Sequence, residues 1–415
     1  MKDPRPLLSL DEALALLVAG SQPYAITQAE TVSTFDALGR VLAADVLSGL
    51  NVPPEDNTSM DGYVLRAADV PLAGSVLPVS QRIPAGHVGQ ALLPGTAARI
   101  FTGGQVPAGG DAVVMQEQCE ALAGEGLGRV RVNAMPAAGQ WIRRRGEDVQ
   151  QGAAVLQLGQ RLTPQALGLA ASVGAATLTV WRRPRLALFS TGDELQNPGE
   201  VLRPGSIYNS NRYTLRALAQ AAGCEVIDLG IVGDTLDATR AALREAAGLS
   251  DLIVTCGGVS VGEEDHLKPA ARAEGELDDW QIAMKPGKPL AFGRVRKPEG
   301  GAALLVGLPG NPVSAFITFL LAVGPVLRVI QGMPSAAPAG LAMRADFDWQ
   351  RPDRRREFLR VQLNAEGGLS LFANQSSGVL TSVVWADGLV DNPGSQAISR
   401  GDTVRFLPLA MLVSR

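Results

Sequence analysis

The sequence has few of the residues that build disulfide-bonded or zinc-binding proteins. Its 415 residues include three cysteines, Cys119, Cys224 and Cys256, and two histidines, His87 and His266. The cysteines show no paired or metal-finger spacing, and no His-x-x-x-His or Cys-x-x-Cys motif occurs. These absences exclude a disulfide scaffold and argue against a zinc enzyme, and they are typical of a protein in a reducing compartment.

An excess of charge of either sign is also missing. The chain has 37 Lys and Arg against 41 Asp and Glu, a formal net charge of -4. This balance gives no general attraction for nucleic acid or anionic membranes, so an anion site has to be local. The N-terminal residues Met1–Pro6 do not lead into an apolar segment with a cleavage site. We therefore expect no signal peptide and a cytoplasmic protein.

One uncharged stretch, Gly300–Leu327, is long enough to span a bilayer. It is interrupted at Gly307–Pro312 and again at Gly324-Pro325, and both interruptions favour turns over one continuous membrane helix. The stretch therefore predicts a buried strand, a tight turn and a core helix, with no membrane as a partner.

The length predicts two to four domains at roughly 100–200 residues each. Between residues 181 and 331, apolar strands such as Leu186–Ser190, Asp251–Cys256 and Gln281–Met284 alternate with helical patterns. This alternation predicts βαβ units and a doubly wound, mainly parallel α/β sheet. The full division is a mixed helical linking domain (1–51 with 146–180), a β-rich inserted domain (52–145), the doubly wound α/β domain (181–331) and a small, barrel-like C-terminal β domain (332–415).

Glycine stands beside hydroxyl or carboxylate side chains in the loops that follow the predicted parallel strands. These loops are Ser190–Glu194, Gly230–Asp234 and Cys256–Asp265. Glycines allow the backbone to present several N–H groups to a phosphate, and ligands bind at the carboxyl ends of such strands. One Gly-Gly pair could equally be a simple turn. Three such loops on one sheet edge favour a site for a pterin or nucleotide phosphate.

Two further turns have the chemistry of an anion site. The sequence Lys285-Pro286-Gly287-Lys288-Pro289 places two ammonium groups in a turn stiffened by prolines. It is not a P-loop, because Ile282 replaces the upstream glycine and Pro289 the hydroxyl residue. Gly307–Ser314 closes a strand and opens a helix with Asn311 as its cap, and a helix N-terminus suits an oxyanion.

Other polar clusters are weaker signals. Asp56–Tyr63 and Arg143–Asp148 could hold a hard cation or a phosphate, although either alone is more often a solvated loop. Arg354–Glu357 could protect a strand edge. Cys256 and His266 share a predicted loop, but that spacing is a weak indication of a nucleophilic pair.

Taken as a set, these motifs resemble the molybdopterin molybdotransferase family, which includes the bacterial MoeA proteins and the E domain of gephyrin. The resemblance spans nearly the whole chain and rests on the following segments: Pro53–Tyr63, Arg99–Gly104, Asp111–Val114, Arg145–Asp148, Ser190–Leu195, Asn211-Arg212, Gly257–Asp265, Lys285–Pro289 and Gly307–Ser314. It implies an elongated homodimer of four-domain chains, with molybdopterin bound by the doubly wound domain. The implied reaction inserts molybdate into adenylylated molybdopterin and releases AMP, with Mg²⁺ assisting.

The resemblance also implies roles for individual residues. The catalytic positions that match are Asp61, Thr102, Asp148, Glu194, Asp234, Asp265 and Lys285. The cofactor-binding positions are Ser190, Thr191, Gly192, Gly257, Gly258, Ser260, Gly262, Lys288, Pro309, Gly310, Asn311, Pro312 and Ser314. The implied molybdate group is Lys285, Lys288 and Ser314, with an arginine near Arg356 and a serine near Ser377. Asp61, Glu194 and Asp265 are the implied Mg²⁺ ligands.

The family also implies transient contacts with the molybdopterin adenylyltransferase and with recipient molybdoenzymes. Two alternatives remain open at this point, a non-catalytic molybdopterin-binding scaffold and a tungstate-inserting enzyme. The intact set of clustered carboxylates argues against the scaffold. One departure is Gln281, where the family usually has lysine, so the sequence predicts one cationic ligand fewer.

Overall fold

A computed structural model describes residues 7–258, 266–334 and 339–413 of the chain. Its backbone forms two compact units, one from residues 31–38 and 44–179 and one from the remaining segments of the chain. The helices in the described residues are α1 (Leu10–Ser21), α2 (Pro164–Ser172), α3 (Ser210–Ala221), α4 (Leu236–Leu249), α5 (Leu267–Glu274), α6 (Pro312–Thr318), α7 (Gly324–Ile330), α8 (Thr381–Trp385) and α9 (Leu409–Val413).

The strands follow the same order along the chain. They are β1 (Ala29–Ser33), β2 (Val46–Leu47), β3 (Asn57–Thr58), β4 (Gly62–Leu65), β5 (Ser75–Ile83), β6 (Ala97–Ile100), β7 (Ala112–Met115), β8 (Cys119–Leu122), β9 (Arg129–Val132), β10 (Ile142–Arg143), β11 (Ala154–Leu156), β12 (Thr177–Trp181), β13 (Arg185–Thr191), β14 (Leu195–Gln196), β15 (Ile207–Tyr208), β16 (Glu225–Val232), β17 (Leu252–Cys256), β18 (Gly275–Gln281), β19 (Met284–Lys285), β20 (Pro289–Arg296), β21 (Ala302–Leu308), β22 (Leu341–Arg344), β23 (Arg356–Leu363), β24 (Leu369–Leu371), β25 (Gly388–Asn392) and β26 (Thr403–Pro408).

The larger unit contains the predicted doubly wound sheet, with strand order β16-β13-β17-β21-β20-β18. The first four strands are parallel, and β20 and β18 are antiparallel additions at one edge. The fold class inferred from alternating strands and helices is therefore confirmed. The strand predicted over Gln281–Met284 is wrong, because the chain turns between β18 and β19 there and Ile282 and Ala283 lie outside both strands.

Both faces of this sheet are covered. Leu186 and Leu188 of β13 belong to a core shared with α1, α3, α6 and α7, whereas Ala187 and Phe189 belong to a core shared with α4 and α5. Successive side chains of a strand point to opposite faces, so a strand buried on both faces is apolar throughout. This explains why β13 and β17 read as continuous apolar runs in the sequence.

The apolar stretch seen in the sequence forms β21 and then the helical segment Pro312–Ile330, which passes through a π-type turn at Phe319–Val323. This segment is long and apolar enough to cross a membrane, but 78% of its 18-residue window is buried inside the protein. Its position in the core accounts for its composition, as the sequence predicts.

A second sheet of the larger unit carries the C-terminal residues, with order β19-β23-β25-β26-β22 and β24 paired to β23. The short strand β19 runs parallel to β23 and places Met284 beside Arg356 and Lys285 beside Glu357. The lysine turn predicted from the sequence is thus attached to the C-terminal sheet. This pairing decides which side chains surround Lys285.

The other unit contains a six-stranded sheet of order β7-β4-β6-β5-β9-β8. Two apolar cores cover its faces, one around Leu65, Val114 and Val130 and one around Val64 and Ile100. The prediction that this part of the chain is rich in β-strands is confirmed. Gly62 is required in β4, since a Cβ atom there would lie 1.9 Å from the Val114 carbonyl oxygen.

Candidate active site

A cavity of about 1080 Å³ opens in the larger unit at the carboxyl ends of β13, β17 and β21. This is the edge where ligands bind in open α/β sheets. Its walls include most of the residues singled out in this part of the sequence: Ser190, Thr191, Gly192, Glu194, Asp234, Gly257, Gly258, Lys285, Lys288, Pro309, Gly310, Asn311, Pro312, Ser314 and Ser377. Ser260, Gly262 and Asp265 lie outside the described residues.

The loop after β13 brings one carboxylate to the cavity. Gly192 has φ of +143°, and a Cβ atom there would lie 2.5 Å from Oε2 of Glu194. Only glycine allows the Glu194 side chain to fold back over the loop in this way. The Ser190 hydroxyl is buried at the base of the loop and has no hydrogen-bond partner among the described residues.

The loop after β17 lies against the same strand end. Gly257 and Gly258 both have positive φ, +98° and +66°. A Cβ atom at Gly257 would lie 2.6 Å from the Thr191 carbonyl oxygen. These two glycines allow the close approach of the loop to β13 and line the cavity. The phosphate-binding role expected from the sequence stays a prediction.

A cluster of charges surrounds the first lysine of the turn. Lys285 Nζ lies 3.2 Å from Oε1 of Glu357 and 3.6 Å from Oδ2 of Asp353. The Glu357 side chain is 1% exposed, and its Oε2 accepts from Trp349 Nε1 at 2.7 Å. The ammonium is therefore held by a rigid, buried carboxylate while 40% of the Lys285 side chain stays exposed.

The Asp353 carboxylate is held in the ionised form. Arg355 donates to it from its side chain at 3.0 and 2.8 Å and from its backbone at 3.0 Å. The hydrogen bonds from Arg355 outweigh the effect of burial and hold the pKa of Asp353 well below its usual value, and Lys285 adds to this. Lys285 and Arg355 therefore both pair with the Asp353 carboxylate, which stays ionised beside the cavity.

The second lysine of the turn is different. Lys288 lines the cavity, is exposed, and has no ion pair with any described residue. Gly287, at φ +109°, allows the turn to pack closely against α6. A Cβ atom at this position would lie 2.4 Å from the Thr318 hydroxyl. Among the described cations of the cavity, Lys288 is the one whose charge is available to a ligand without displacing a carboxylate.

The arginine of this site is Arg355 and not Arg356. Arg355 lines the cavity, whereas the Arg356 guanidinium donates to Asp391 at 2.6 and 2.7 Å and to Asp11 at 3.0 Å. Neighbouring positions at the start of β23 point to opposite faces, so a shift of one residue changes the side chain that reaches the cavity. Arg355 thus lies on the cavity wall next to the position expected from the resemblance, and its role in holding an oxyanion stays a prediction.

The start of α6 forms another wall. Asn311 occupies the N-cap position with Pro312 following it, as expected, although its side chain makes no capping hydrogen bond. Ser314 is 4% exposed. Val313 N donates to the Ser377 carbonyl at 3.0 Å, which ties the helix to the loop Gln375–Gly378. Only Ser377 of that loop was named beforehand, as a residue that the family resemblance implies.

Two asparagines on the cavity wall were not among the expected site residues, although Asn211 belongs to a segment on which the family resemblance rests. Asn209 caps α3 through its Oδ1, and its buried Nδ2 has no partner among the described residues. Asn211 donates from Nδ2 to the Gly310 carbonyl at 2.7 Å and to Cys256 Sγ at 3.0 Å. The helix start at residues 209–211 was the available signal, because polar residues before a helix often face a sheet edge.

Cys256 is a structural residue of this wall. Its side chain is 3% exposed and its Sγ lies 3.3 Å from the Pro309 carbonyl oxygen. Burial raises the pKa of the thiol to about 12. A thiolate nucleophile at this position is therefore excluded near neutral pH. Gln281, where the family usually has lysine, is not among the residues that line the cavity, and the loss of one cationic ligand stays a prediction.

The smaller unit contains the remaining expected residues. Asp61 Oδ1 accepts from both the backbone N and the hydroxyl of Thr102 at 2.7 Å. These bonds, with a smaller contribution from Arg99, hold the pKa of Asp61 below its usual value. Asp148 is exposed, and its backbone N donates to the Val52 carbonyl at 3.0 Å. Asp61, which is partly exposed, and Thr102, which is exposed, therefore form a hydrogen-bonded pair with one negative charge on Asp61.

No group of three or more His, Cys, Asp or Glu side chains in residues 7–258, 266–334 and 339–413 is arranged to hold a metal ion. Glu194 and Asp234 are the carboxylates on the cavity wall, against Lys285, Lys288 and Arg355. Mg²⁺ is often held by one or two carboxylates together with substrate phosphates. Two carboxylates on the wall of a cavity large enough for a phosphate-bearing substrate fit that kind of site.

Known protein families match this chain along most of its length. The MoeA N-terminal region (domain I and II) matches residues 8–174, the probable molybdopterin binding domain matches 187–329, and the MoeA C-terminal region (domain IV) matches 342–409. A molybdopterin molybdenumtransferase of Haemophilus influenzae is 36% identical over 98% of this chain and 100% of its own. Molybdopterin molybdenumtransferase 2 of Mycobacterium tuberculosis is 37% identical over 88% and 90%.

The crystal structure of a molybdopterin biosynthesis MoeA protein from Pyrococcus horikoshii OT3 has the same fold. It aligns with a TM-score of 0.81 and 28% identity, covering 97% of this chain and 100% of that one. The fold, the cavity and these relatives place the chain in the class of transferases. Within that class, the chain belongs to the MoeA family.

Proposed function

We propose that this protein inserts molybdate into adenylylated molybdopterin, releasing AMP and forming molybdenum cofactor. Its place in molybdenum cofactor biosynthesis follows from the relatives described above. The observation that supports the specific reaction is the cavity, in which two lysines, an arginine and two serines face a loop of exposed backbone at a sheet edge.

The oxyanion half of the site consists of Lys285, Lys288, Arg355, Ser314 and Ser377. A tetrahedral dianion is bound best by charge-assisted donors from several directions. Here the donors come from the lysine turn, the start of β23, α6 and the loop Gln375–Gly378. The Lys288 ammonium, which has no carboxylate partner in the described residues, would supply the first contact.

The other half suits a phosphate-bearing pterin. Ser190 Oγ and Asn209 Nδ2 are buried on the wall without partners among the described residues, and buried polar atoms are rarely left so. A polar ligand would satisfy both of them. The backbone at Gly257 and Gly258 would receive a phosphate group.

Mg²⁺ belongs to this proposal as an aid to the release of AMP. Glu194 and Asp234 are the described residues that would hold it together with the substrate phosphates, and Asp61 and Asp265 stay predictions. The ion would neutralise charge on the phosphoanhydride. The roles of Thr102 and Asp148 in catalysis also stay predictions.

The proposal extends to the surroundings of the enzyme. We infer a cytoplasmic homodimer of four-domain chains that receives its substrate from an adenylyltransferase and passes the product to molybdoenzymes. These inferences follow from the family and from the composition of the chain.

The test is AMP release from adenylylated molybdopterin by the purified protein, with and without molybdate and Mg²⁺. Lys288→Ala should reduce release, whereas Lys297→Ala, which alters a lysine outside the cavity, should not. Tungstate in place of molybdate tests the tungstate alternative. Tight ligand binding without AMP under any condition would refute the transferase reaction and support a scaffold.

A further inference from the structure

The larger unit has a second cavity, of about 640 Å³, between the start of α1 and the C-terminal sheet. It shares no lining residue with the cavity described above. Arg355 lines the first cavity, whereas its neighbours Arg354 and Arg356 line the second together with Arg405. We call this second space the arginine cavity. Its volume is typical of a site for a small molecule, and the proposed function gives it no role.

A buried carboxylate holds two of these arginines side by side. Asp391 lies on β25, between β23 with Arg356 and β26 with Arg405. Its side chain is 3% exposed and accepts from Arg356 at 2.6 and 2.7 Å and from Arg405 at 2.9 Å. The N–H donors of a guanidinium outnumber these bonds, so Asp391 uses only part of the donor set of each arginine. Asp391 therefore fixes two guanidinium groups on the cavity wall without saturating them.

The charges on the wall of the arginine cavity do not balance. Three guanidinium groups face two carboxylates, those of Asp391 and Asp11, which leaves one positive charge in excess. Asp11 accepts from Arg356 Nη1 at 3.0 Å, and its side chain is 79% exposed. Exposed ion pairs contribute little to stability, so an anionic ligand can replace Asp11 at Arg356. Arg354 is exposed and makes no ion pair with any described residue, so its charge is available to such a ligand.

The backbone of Arg354 is held in place by the loop after β25. Ser395 N donates to the Asp353 carbonyl oxygen at 2.7 Å. Gly394 lies so close that a Cβ atom there would overlap the Arg354 carbonyl oxygen. A group that is fixed before binding loses less conformational entropy when it contacts a ligand. The backbone of this third arginine is therefore preorganised for binding.

We infer that the arginine cavity binds a phosphate dianion, either free or as the phosphate group of a small molecule. A tetrahedral dianion is bound best by charge-assisted donors from several directions. Arg354, Arg356 and Arg405 supply such donors from the segment before β23, from β23 and from β26. The fork of a guanidinium also matches the geometry of phosphate oxygens. This site does not depend on the function proposed for the first cavity.

The experiment measures by calorimetry the binding of inorganic phosphate and of glycerol 3-phosphate at low ionic strength. All proteins carry Lys288→Ala, which removes an ammonium group from the first cavity and so weakens phosphate binding there. Arg354→Gln should weaken the binding of both probes about tenfold, as expected for the loss of a charge-assisted hydrogen bond. Because Arg354 has no ion pair with a described residue, this variant should fold like its parent.

A second variant should change the affinity in the opposite direction. Asp11→Asn keeps the shape of the side chain and removes the negative charge that competes for Arg356, so it should tighten binding about threefold. The matched control is Arg351→Gln, which removes an exposed arginine that lines neither cavity. This control should leave both affinities unchanged. Thermal unfolding of each variant shows whether the fold is retained.

Weaker binding in Arg354→Gln together with tighter binding in Asp11→Asn would support the site. Glycerol 3-phosphate binding more tightly than phosphate would then identify a phosphorylated small molecule as the ligand, and equal affinities would identify the free ion. The inference is wrong if neither probe binds, if Arg354→Gln or Asp11→Asn leaves binding unchanged, or if Arg354→Gln and Arg351→Gln cause equal losses. AMP release by the wild type tests the proposed function separately, so either conclusion can fail without the other.

Discussion

Replacement of Glu357 by glutamine tests whether a buried carboxylate holds Lys285 at the cavity. In the folded protein, Glu357 Oε1 accepts from Lys285 Nζ at 3.2 Å, and Oε2 accepts from Trp349 Nε1 at 2.7 Å and Asp353 N at 3.1 Å. Glutamine can keep its one oxygen toward Trp349 and Asp353. It then presents an NH₂ group to the ammonium, so the charge-assisted hydrogen bond is lost.

The magnitude follows from the burial of the two partners. A hydrogen bond to a charged group contributes about 1.5–3 kcal/mol. Lys285 is 40% exposed and keeps Asp353 at 3.6 Å, so water and the second carboxylate recover part of this loss. We expect Glu357→Gln to lower the free energy of unfolding by about 1–2 kcal/mol.

A double-mutant cycle with Lys285→Met, measured by urea unfolding, isolates the interaction between the two side chains. The matched control is the pair Arg294–Glu276, whose atoms are closer, at 2.8 Å, but whose side chains are 53% and 72% exposed. If burial governs the energy, the longer Lys285–Glu357 pair couples by about 1–2 kcal/mol and the control by about 0–1 kcal/mol. A weaker coupling for Lys285–Glu357 than for the control would refute this reasoning.

Three further predictions concern other parts of the larger unit. Burial raises the pKa of Asp251, but the bidentate bonds from Arg182, at 2.7 and 2.8 Å, together with the Arg185 backbone N–H and the nearby positive charges, bring that pKa below its usual value. Asp251→Asn should therefore cost about 2 kcal/mol in urea unfolding at pH 7. Because the pKa of Asp251 in the folded protein lies below the unfolded value of about 3.9, this stabilisation is complete above that value and is lost as the pH falls through the lowered folded pKa; a difference that did not shrink at all on acidification would contradict the assignment. Native Cys256 should resist thiol reagents at pH 8 and react only on unfolding, since its pKa is about 12, and labelling of the folded protein there would contradict this. Gly257→Ala should reduce ligand affinity in a binding titration, because its Cβ would lie 2.6 Å from the Thr191 carbonyl oxygen and its φ is +98°; unchanged affinity would show that the loop adapts.

The parallel sheet of the larger unit, and the edge at which its cavity opens, were predictable from the sequence because each depends on short-range patterns. The apolar runs of β13 and β17 alternate with helices. Thr191, the last residue of β13, and Gly257, the first residue after β17, lie at the carboxyl ends of these strands and line the cavity. The lysine turn and the start of α6 followed from proline and glycine placement. Strands β18 and β20 were missed because their pairing depends on antiparallel contacts between segments and not on a local period.

The parts of the site that the sequence missed come from long-range pairing. The parallel alignment of β19 with β23 sets Lys285 beside Glu357, and no spacing within either segment predicts it. The same alignment decides that Arg355 reaches the cavity. Choosing between Arg355 and Arg356 requires the phase of the strand to within one residue, which sequence patterns alone do not provide.

The buried helical segment Pro312–Ile330 has a consequence for the synthesis of the protein. While the chain is unfolded, this segment has the length and hydropathy of a membrane span, and only tertiary burial makes it a core element. Because 85 residues follow Ile330, the segment leaves the ribosome before the C-terminal sheet exists. The parallel strands β13, β16, β17 and β21 all precede this segment in the chain, and packing against that sheet is what removes its apolar surface from water.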